Sequence, residues 1–291
     1  MPEFISKVQH KNYETGEFSE EKARNLEETI ALIKAFPWED ERHLTDIQLT
    51  GPSVTICNKG GEYLKIGLYF NDKYCIYYLN QGNVLFERSF ESLDLVLEII
   101  THFFDNTFKP EGFDKPFPKF SSKKHFLTQT FEYNPTVFRF MTITLNLWIL
   151  FLMFPVVILL MSKPIHFQPD GIFLILLLIA FPGVLLYYTF ILTFPKRNQF
   201  LKISRGQNAF WFGDNKNEIV KYGKDEIVNI ITYQAKGSRN PIELIVYEIA
   251  FKNNTSIKFT NILISDSDFT SKFDDSFEFF SIGELHPFQV L

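Results

Sequence analysis

Few residues of this 291-residue chain are of types that do chemistry, and their spacing argues against most reactions. His43 and His102 are the only histidines between Lys11 and Asp105, on different expected elements, with no serine or cysteine motif beside them. Nowhere does the chain hold a Gly-Lys-Ser/Thr phosphate loop, a His-Glu-x-x-His pair or a Gly-x-Ser-x-Gly elbow. Those arrangements cradle phosphate, ligate zinc and expose a nucleophilic serine. Cys57 and Cys75 lie eighteen positions apart without Cys-x-x-Cys spacing and read as reduced, buried thiols, a disulfide being the alternative. Asp266, Asp268, Asp274 and Asp275 lack the ligand spacing and central glycine of a calcium loop, so Asp266 or Asp268 reads as a helix cap. His166 stands without partners. No catalytic residue, metal ligand or cofactor is expected, and the chain reads as a non-enzyme.

What remains is binding chemistry. Glu39, Asp40 and Glu41 follow Pro37-Trp38. They are the candidate contact for a basic protein partner, the alternative being a solvated loop beside a tryptophan that plugs the core. Lys119, Lys123 and Lys124 in PKFSSKK, with Lys196 and Arg197, flank the apolar middle of the chain and are the candidate contacts to a membrane surface, where each is worth about 1 kcal/mol. Lys216, Lys221, Lys224, Lys236 and Arg239 are spread over several loops and offset by Asp214, Glu218, Asp225 and Glu226, which is not the clustered basic pocket a phosphoinositide asks for. Net charge is minus six over residues 1–137, plus three over 138–197 and minus two thereafter. No segment has the basic balance of a nucleic-acid-binding surface.

The elements that must position these groups follow from pattern. MTITLNLWILFLMFPVVILLM (141–161) and IFLILLLIAFPGVLLYYTFILTF (172–194) carry no charge, and each has the roughly 20 residues that a helix needs to cross about 30 Å of hydrocarbon. They are expected to form a transmembrane hairpin over 138–197, with Pro155 and Pro182 as kinks, Asn146 either bonding across helices or lying near headgroups, and SKPIHFQPDG as the turn. The flanking lysines and arginines place both termini in the cytoplasm under the positive-inside rule, and residues 1–13 lack a signal-peptide pattern. The expected location is the inner membrane, multi-pass, with membrane lipids as partners of the hairpin.

Before the hairpin, Phe18–Phe36 has a helix-start signal at Ser19 and apolar residues at Leu26, Ile30 and Ile33. Strand-like runs follow at 53–57, 63–70, 73–79 and 84–90, then a second amphipathic helix within 92–104. This helix, meander, helix plan, with GPSVTI and GLYF inside it, resembles the small domains of bacterial polymorphic-toxin immunity proteins, which implies a protein partner of the toxin kind and no particular residue. After the hairpin, six runs at 200–204, 209–212, 218–222, 227–234, 242–251 and 256–259 are separated by turn formers, and Asp266–Phe280 reads as a closing helix. YGKDEIVNI (222–230) and FKNNTSIKFT (251–260) resemble the bacterial pleckstrin-homology-like domain, which implies a curved antiparallel sheet closed by a helix.

The expected fold class is α+β: an N-terminal α+β domain (1–108), a juxtamembrane linker (109–137), a two-helix transmembrane hairpin (138–197) and a C-terminal β-rich pleckstrin-homology-like domain (198–291). The expected function is that of a membrane-anchored binding protein. A structural or regulatory subunit acting through the hairpin is the alternative.

Overall fold

The structure is a computed structural model that describes residues 2–42, 49–115, 122–145, 194–234, 244–274 and 277–282, with 149, 153, 183, 184, 187, 190 and 191. It divides into two compact units, Met1–Thr130 and Phe131–Leu291.

The first unit is built on a six-stranded antiparallel sheet in the order β2-β1-β3-β4-β5-β6. Its strands are β1 (Phe4–Gln9), β2 (Ser19–Arg24), β3 (Ser53–Cys57), β4 (Tyr63–Leu68), β5 (Tyr74–Leu79) and β6 (Leu85–Phe90). The four runs read from the sequence as a meander are β3 to β6, and β1 and β2 extend the sheet. SEEKAR forms edge strand β2 although its residues favour helix, because its backbone pairs with β1. The helix expected from Ser19 accordingly starts later, at α1 (Leu26–Ala35). Asn25 caps it: its side chain accepts the Glu28 amide while the Glu28 carboxylate accepts the Asn25 amide, a complete capping box. A short helix, α2 (Trp38–Glu41), and α3 (Leu93–Phe104) follow.

Because side chains alternate along a strand, the sheet has two unlike faces. One carries Val8, Val54, Ile56, Leu64, Ile66, Ile76 and Tyr78, and buries them against Ile33 and Phe36 and against Val96, Ile100, Phe103 and Phe104 of α3. The other carries Lys7, Thr55, Lys65 and Tyr77 in one cross-strand row. Phe126, fully buried among Cys75, Tyr77, Leu79 and Leu85, holds residues 122–130 over this second face. Cys57 and Cys75 are both free thiols.

The second unit holds two four-stranded sheets. One runs β10-β9-β8-β7, from β7 (Glu132–Tyr133), β8 (Phe200–Lys202), β9 (Ala209–Gly213) and β10 (Val220–Gly223). The other runs β13-β12-β11-β14, from β11 (Ile227–Gln234), β12 (Ile245–Phe251), β13 (Ser256–Thr260) and β14 (Phe279–Ile282). Their inner faces share one core: Phe210 stacks 6.3 Å from Phe251, and Phe212 lies 5.8 Å from Phe259. The Asn253-Asn254 turn joins β12 to β13 with Asn254 at φ +63°, a conformation asparagine tolerates well. The closing helix is shorter than the pattern implied. It ends at Thr270 as α5 (Asp266–Thr270), and Phe279–Phe280 turn into β14, which pairs in parallel with β11. Its cap is Ser265, whose hydroxyl accepts the Asp268 amide; Asp266 instead accepts the Tyr247 hydroxyl at 2.7 Å. Phe269 seals the end of the core, 4.5 Å from Tyr247 and 5.2 Å from Phe259.

The transmembrane hairpin is corrected. Among the described residues no helix is long and apolar enough to cross a membrane, and the expected multi-pass inner-membrane location loses its basis with it. The helix described at the start of the expected hairpin is α4 (Val137–Ile143), of seven residues. Arg139 in this helix donates to the Leu263 carbonyl and sits 3.9 Å from Asp268, so α4 is tied to the β domain through a charged side chain. Asn146, Pro155, His166 and Pro182 lie outside the described residues.

Candidate functional site

The three carboxylates singled out in the sequence separate by burial. Glu41 turns inward, 7% exposed: it meets His10 Nδ1 at 2.7 Å and accepts the Lys11 amide at 2.8 Å. It ties α2 to the end of β1, and its role is structural. Glu39 points outward with 78% of its side chain exposed, and Asp40 is exposed beside it.

These two acids rim a cavity of about 300 Å³ lined by Phe36, Pro37, Trp38, Glu39, Asp40 and Tyr74. The chain places them there for local reasons. Pro37 follows the last turn of α1, and Trp38 folds back so that its indole N–H donates to the Ile33 carbonyl at 2.8 Å. Phe36 and Trp38 lie 4.5 Å apart, and Trp38 meets Tyr74 of β5 edge to face at 5.5 Å. Trp38 is therefore the core plug that the sequence also allowed, and the same ring forms part of a groove wall. Arg42 completes the surroundings. Its guanidinium lies 5.5 Å from the Tyr74 ring centre, with Nε 3.5 Å from Glu39 and 3.7 Å from Asp72, ion-pair rather than hydrogen-bond distances. It also donates to the carbonyls of Tyr69, Asp72 and Lys73, which anchors the turn between β4 and β5, where Phe70 is 60% exposed.

A second polar cluster lies on the far face of the same sheet. Lys65 Nζ donates to Gln9 Oε1 at 2.7 Å and to the His125 carbonyl at 3.2 Å; Lys7 Nζ donates to Thr128, which donates to Glu21 at 2.6 Å. Both ammonium groups face the Phe18 ring, at 4.1 Å for Lys7 and 5.5 Å for Lys65. Burial, then the neighbouring Lys7 charge, lowers the Lys65 amine to about 7; burial also lowers Lys7, and burial pushes the Tyr63 hydroxyl up to about 12. An amine near neutrality is a usable base or nucleophile, yet Lys65 is 1% exposed and its donors are turned to the protein's own carbonyls. The arrangement locks residues 125–129 onto the sheet. Pattern-reading missed this cluster, although a lysine centred in the apolar strand YLKIGL was a signal for it.

Of the residues proposed for a membrane surface, Lys123 and Lys124 are exposed in a 3-10 turn at 122–125, and Lys119 lies outside the described residues. Lys196 and Arg197 share another such turn at 194–198, where burial lowers the Lys196 amine and nearby Asp214 opposes the shift. Lys123 and Lys124 belong to the first unit and Lys196 and Arg197 to the second. Lys224, one of the dispersed loop lysines, is 6% exposed and donates to the carbonyls of Ser204, Arg205 and Lys272 at 2.7, 2.8 and 2.9 Å. It is a structural cation, unable to present its charge to a headgroup. Among the described residues no group of three or more His, Cys, Asp or Glu side chains could hold a metal ion.

Two sheets packed on one aromatic core with a short helix at one end define the second unit as a β-sandwich-like platform, a class of fold that displays loops and leaves its ligand open. A family model for the PH domain matches residues 130–272, from just before β7 to just after α5, so the C-terminal unit is PH-like, as the resemblance carried by residues 222–230 and 251–260 implied. No curated protein and no solved structure matches the chain.

Proposed function

We propose that this chain is a non-catalytic binding protein in which the first unit recognises a basic protein partner and the PH-like unit serves as a second platform. One observation carries the reading: Glu39 and Asp40, both exposed, rim a groove walled by Trp38 and Tyr74. The half-buried Tyr74 ring supplies contact area at low entropic cost above the buried Trp38, and exposed carboxylates steer an oppositely charged partner. The excess of acidic residues over residues 1–137 favours the same sign of partner. The resemblance of the helix, meander, helix plan to toxin-immunity domains would fit a protein partner of this kind. Lys65, whose amine is lowered to about 7, is 1% exposed and sealed from substrate, which supports binding over catalysis.

The test is differential capture. Full-length chain and the Glu39→Lys/Asp40→Lys variant are crosslinked in the source cells and recovered. A protein held by the former and lost, at least tenfold, by the latter supports the proposal; equal recovery overturns it.

A further inference from the structure

Resting on that reading, we infer that the groove takes a single cationic side chain, an arginine or lysine, from the partner polypeptide. Its chemistry is specific to a cation. Trp38 and Tyr74 stand edge to face at 5.5 Å, with Phe36 behind Trp38. The Tyr74 ring is only half-buried, so a positive charge near it meets the electron-rich π face within the distance at which cation–π attraction operates. Glu39 and Asp40 on the rim supply acceptors for guanidinium or ammonium donors. The depression, about 300 Å³ and open to solvent, admits one side chain lying against the half-buried Tyr74 ring, with Trp38 and Phe36, 5% and 6% exposed, as its floor.

The protein already displays the preference in miniature. Arg42 brings its own guanidinium to the Tyr74 ring and to Glu39 and Asp72, while its remaining donors hold the β4–β5 turn. The same ring and the same rim carboxylate thus accept a guanidinium within the chain. Asp40 adds a further carboxylate on the cavity wall. An uncharged or anionic side chain would gain only the apolar wall and would face the carboxylates without compensation.

The experiment titrates the isotope-labelled full-length chain with the peptide acetyl-Gly-Ser-Arg-Ser-Gly-amide and with its citrulline counterpart, which keeps the shape and removes the charge. Backbone amide shifts of Glu39, Asp40 and Tyr74 are followed. The expected result is saturable shifts with the arginine peptide, at least tenfold weaker with citrulline, and abolished in Glu39→Gln/Asp40→Asn, whose amide spectrum elsewhere in the sheet stays unchanged. Equal response to the two peptides, or an arginine response that survives in the variant, overturns the inference. Loss of capture by the charge-reversal variant together with a failed peptide titration would leave the protein-binding proposal standing and remove only the cation-specific groove.

Discussion

Lys65 Nζ, on β4, donates to the side-chain carbonyl of Gln9, on β1, at 2.7 Å across the intervening strand β3, with Gln9 fully buried and Lys65 1% exposed. The bond places a titratable amine on a sheet face closed by residues 122–130, and the partners around it are Lys7, Thr55, Tyr77, the rings of Phe18 and Phe126, and the His125 carbonyl. An amine so placed makes the stability of the first unit depend on pH.

The sign follows from which state holds the proton. In the folded unit the Lys65 amine is lowered to about 7 from 10.5, so between those values the unfolded chain binds more protons and stability rises with pH, by at most about 1.4 kcal/mol per pH unit. The buried Cys75 thiol is pushed up from 9.0 to about 12, and Tyr63 from 10.0 to about 12. For these groups the unfolded chain loses its proton first, so their contribution is complete below pH 9 and falls away above it. Hydrogen-exchange protection of the β4 amides should climb from pH 7 to about 9 after correction for intrinsic rates, then decline. Lys65→Met should reduce the climb to what the lowered Lys7 amine contributes and keep the decline.

Removing the Lys224 ammonium should strike the second unit alone. Lys224→Met leaves three carbonyls without their donor, Ser204 and Lys272 among them, and the cost is about 3 kcal/mol or more. Exchange protection in β11 and β12 should fall by about two orders of magnitude while β4 and β5 are unchanged. An effect below about 1 kcal/mol would show that water replaces the ammonium.

The capping box at Asn25 is a smaller lever on the groove. Asn25→Ala removes the acceptor of the Glu28 amide and should cost about 1 kcal/mol, fraying the first turn of α1. Because the cap is one end of the helix and Phe36–Trp38 the other, amide shifts at Glu39 should stay within error while those of Leu26 to Thr29 move. Urea denaturation followed at both ends separates the two.

By itself the sequence determined the local pieces. Period-two alternation gave β3 to β6, the turn formers between Phe200 and Phe259 gave β8 to β13 of the PH-like unit, and three carboxylates after Trp38 marked a candidate contact, because each of these is a property of neighbours in the chain. Tertiary structure decided the rest. Ser19–Arg24 became a strand because β1 supplied its backbone partners, against the helical leaning of its residues. Glu41 turned inward to His10 while Glu39 and Asp40 stayed on the surface, a division that depends on which side of a four-residue helix faces β1. The uncharged stretch after Met141 met the length and composition of a membrane span, yet among the described residues no helix is long and apolar enough to cross a membrane, and α4 at its start is tied by Arg139 to Leu263. Lys7, Gln9, Lys65 and His125, up to 118 positions apart, form one cluster only because strand register and the returning chain bring them to the same face of the sheet.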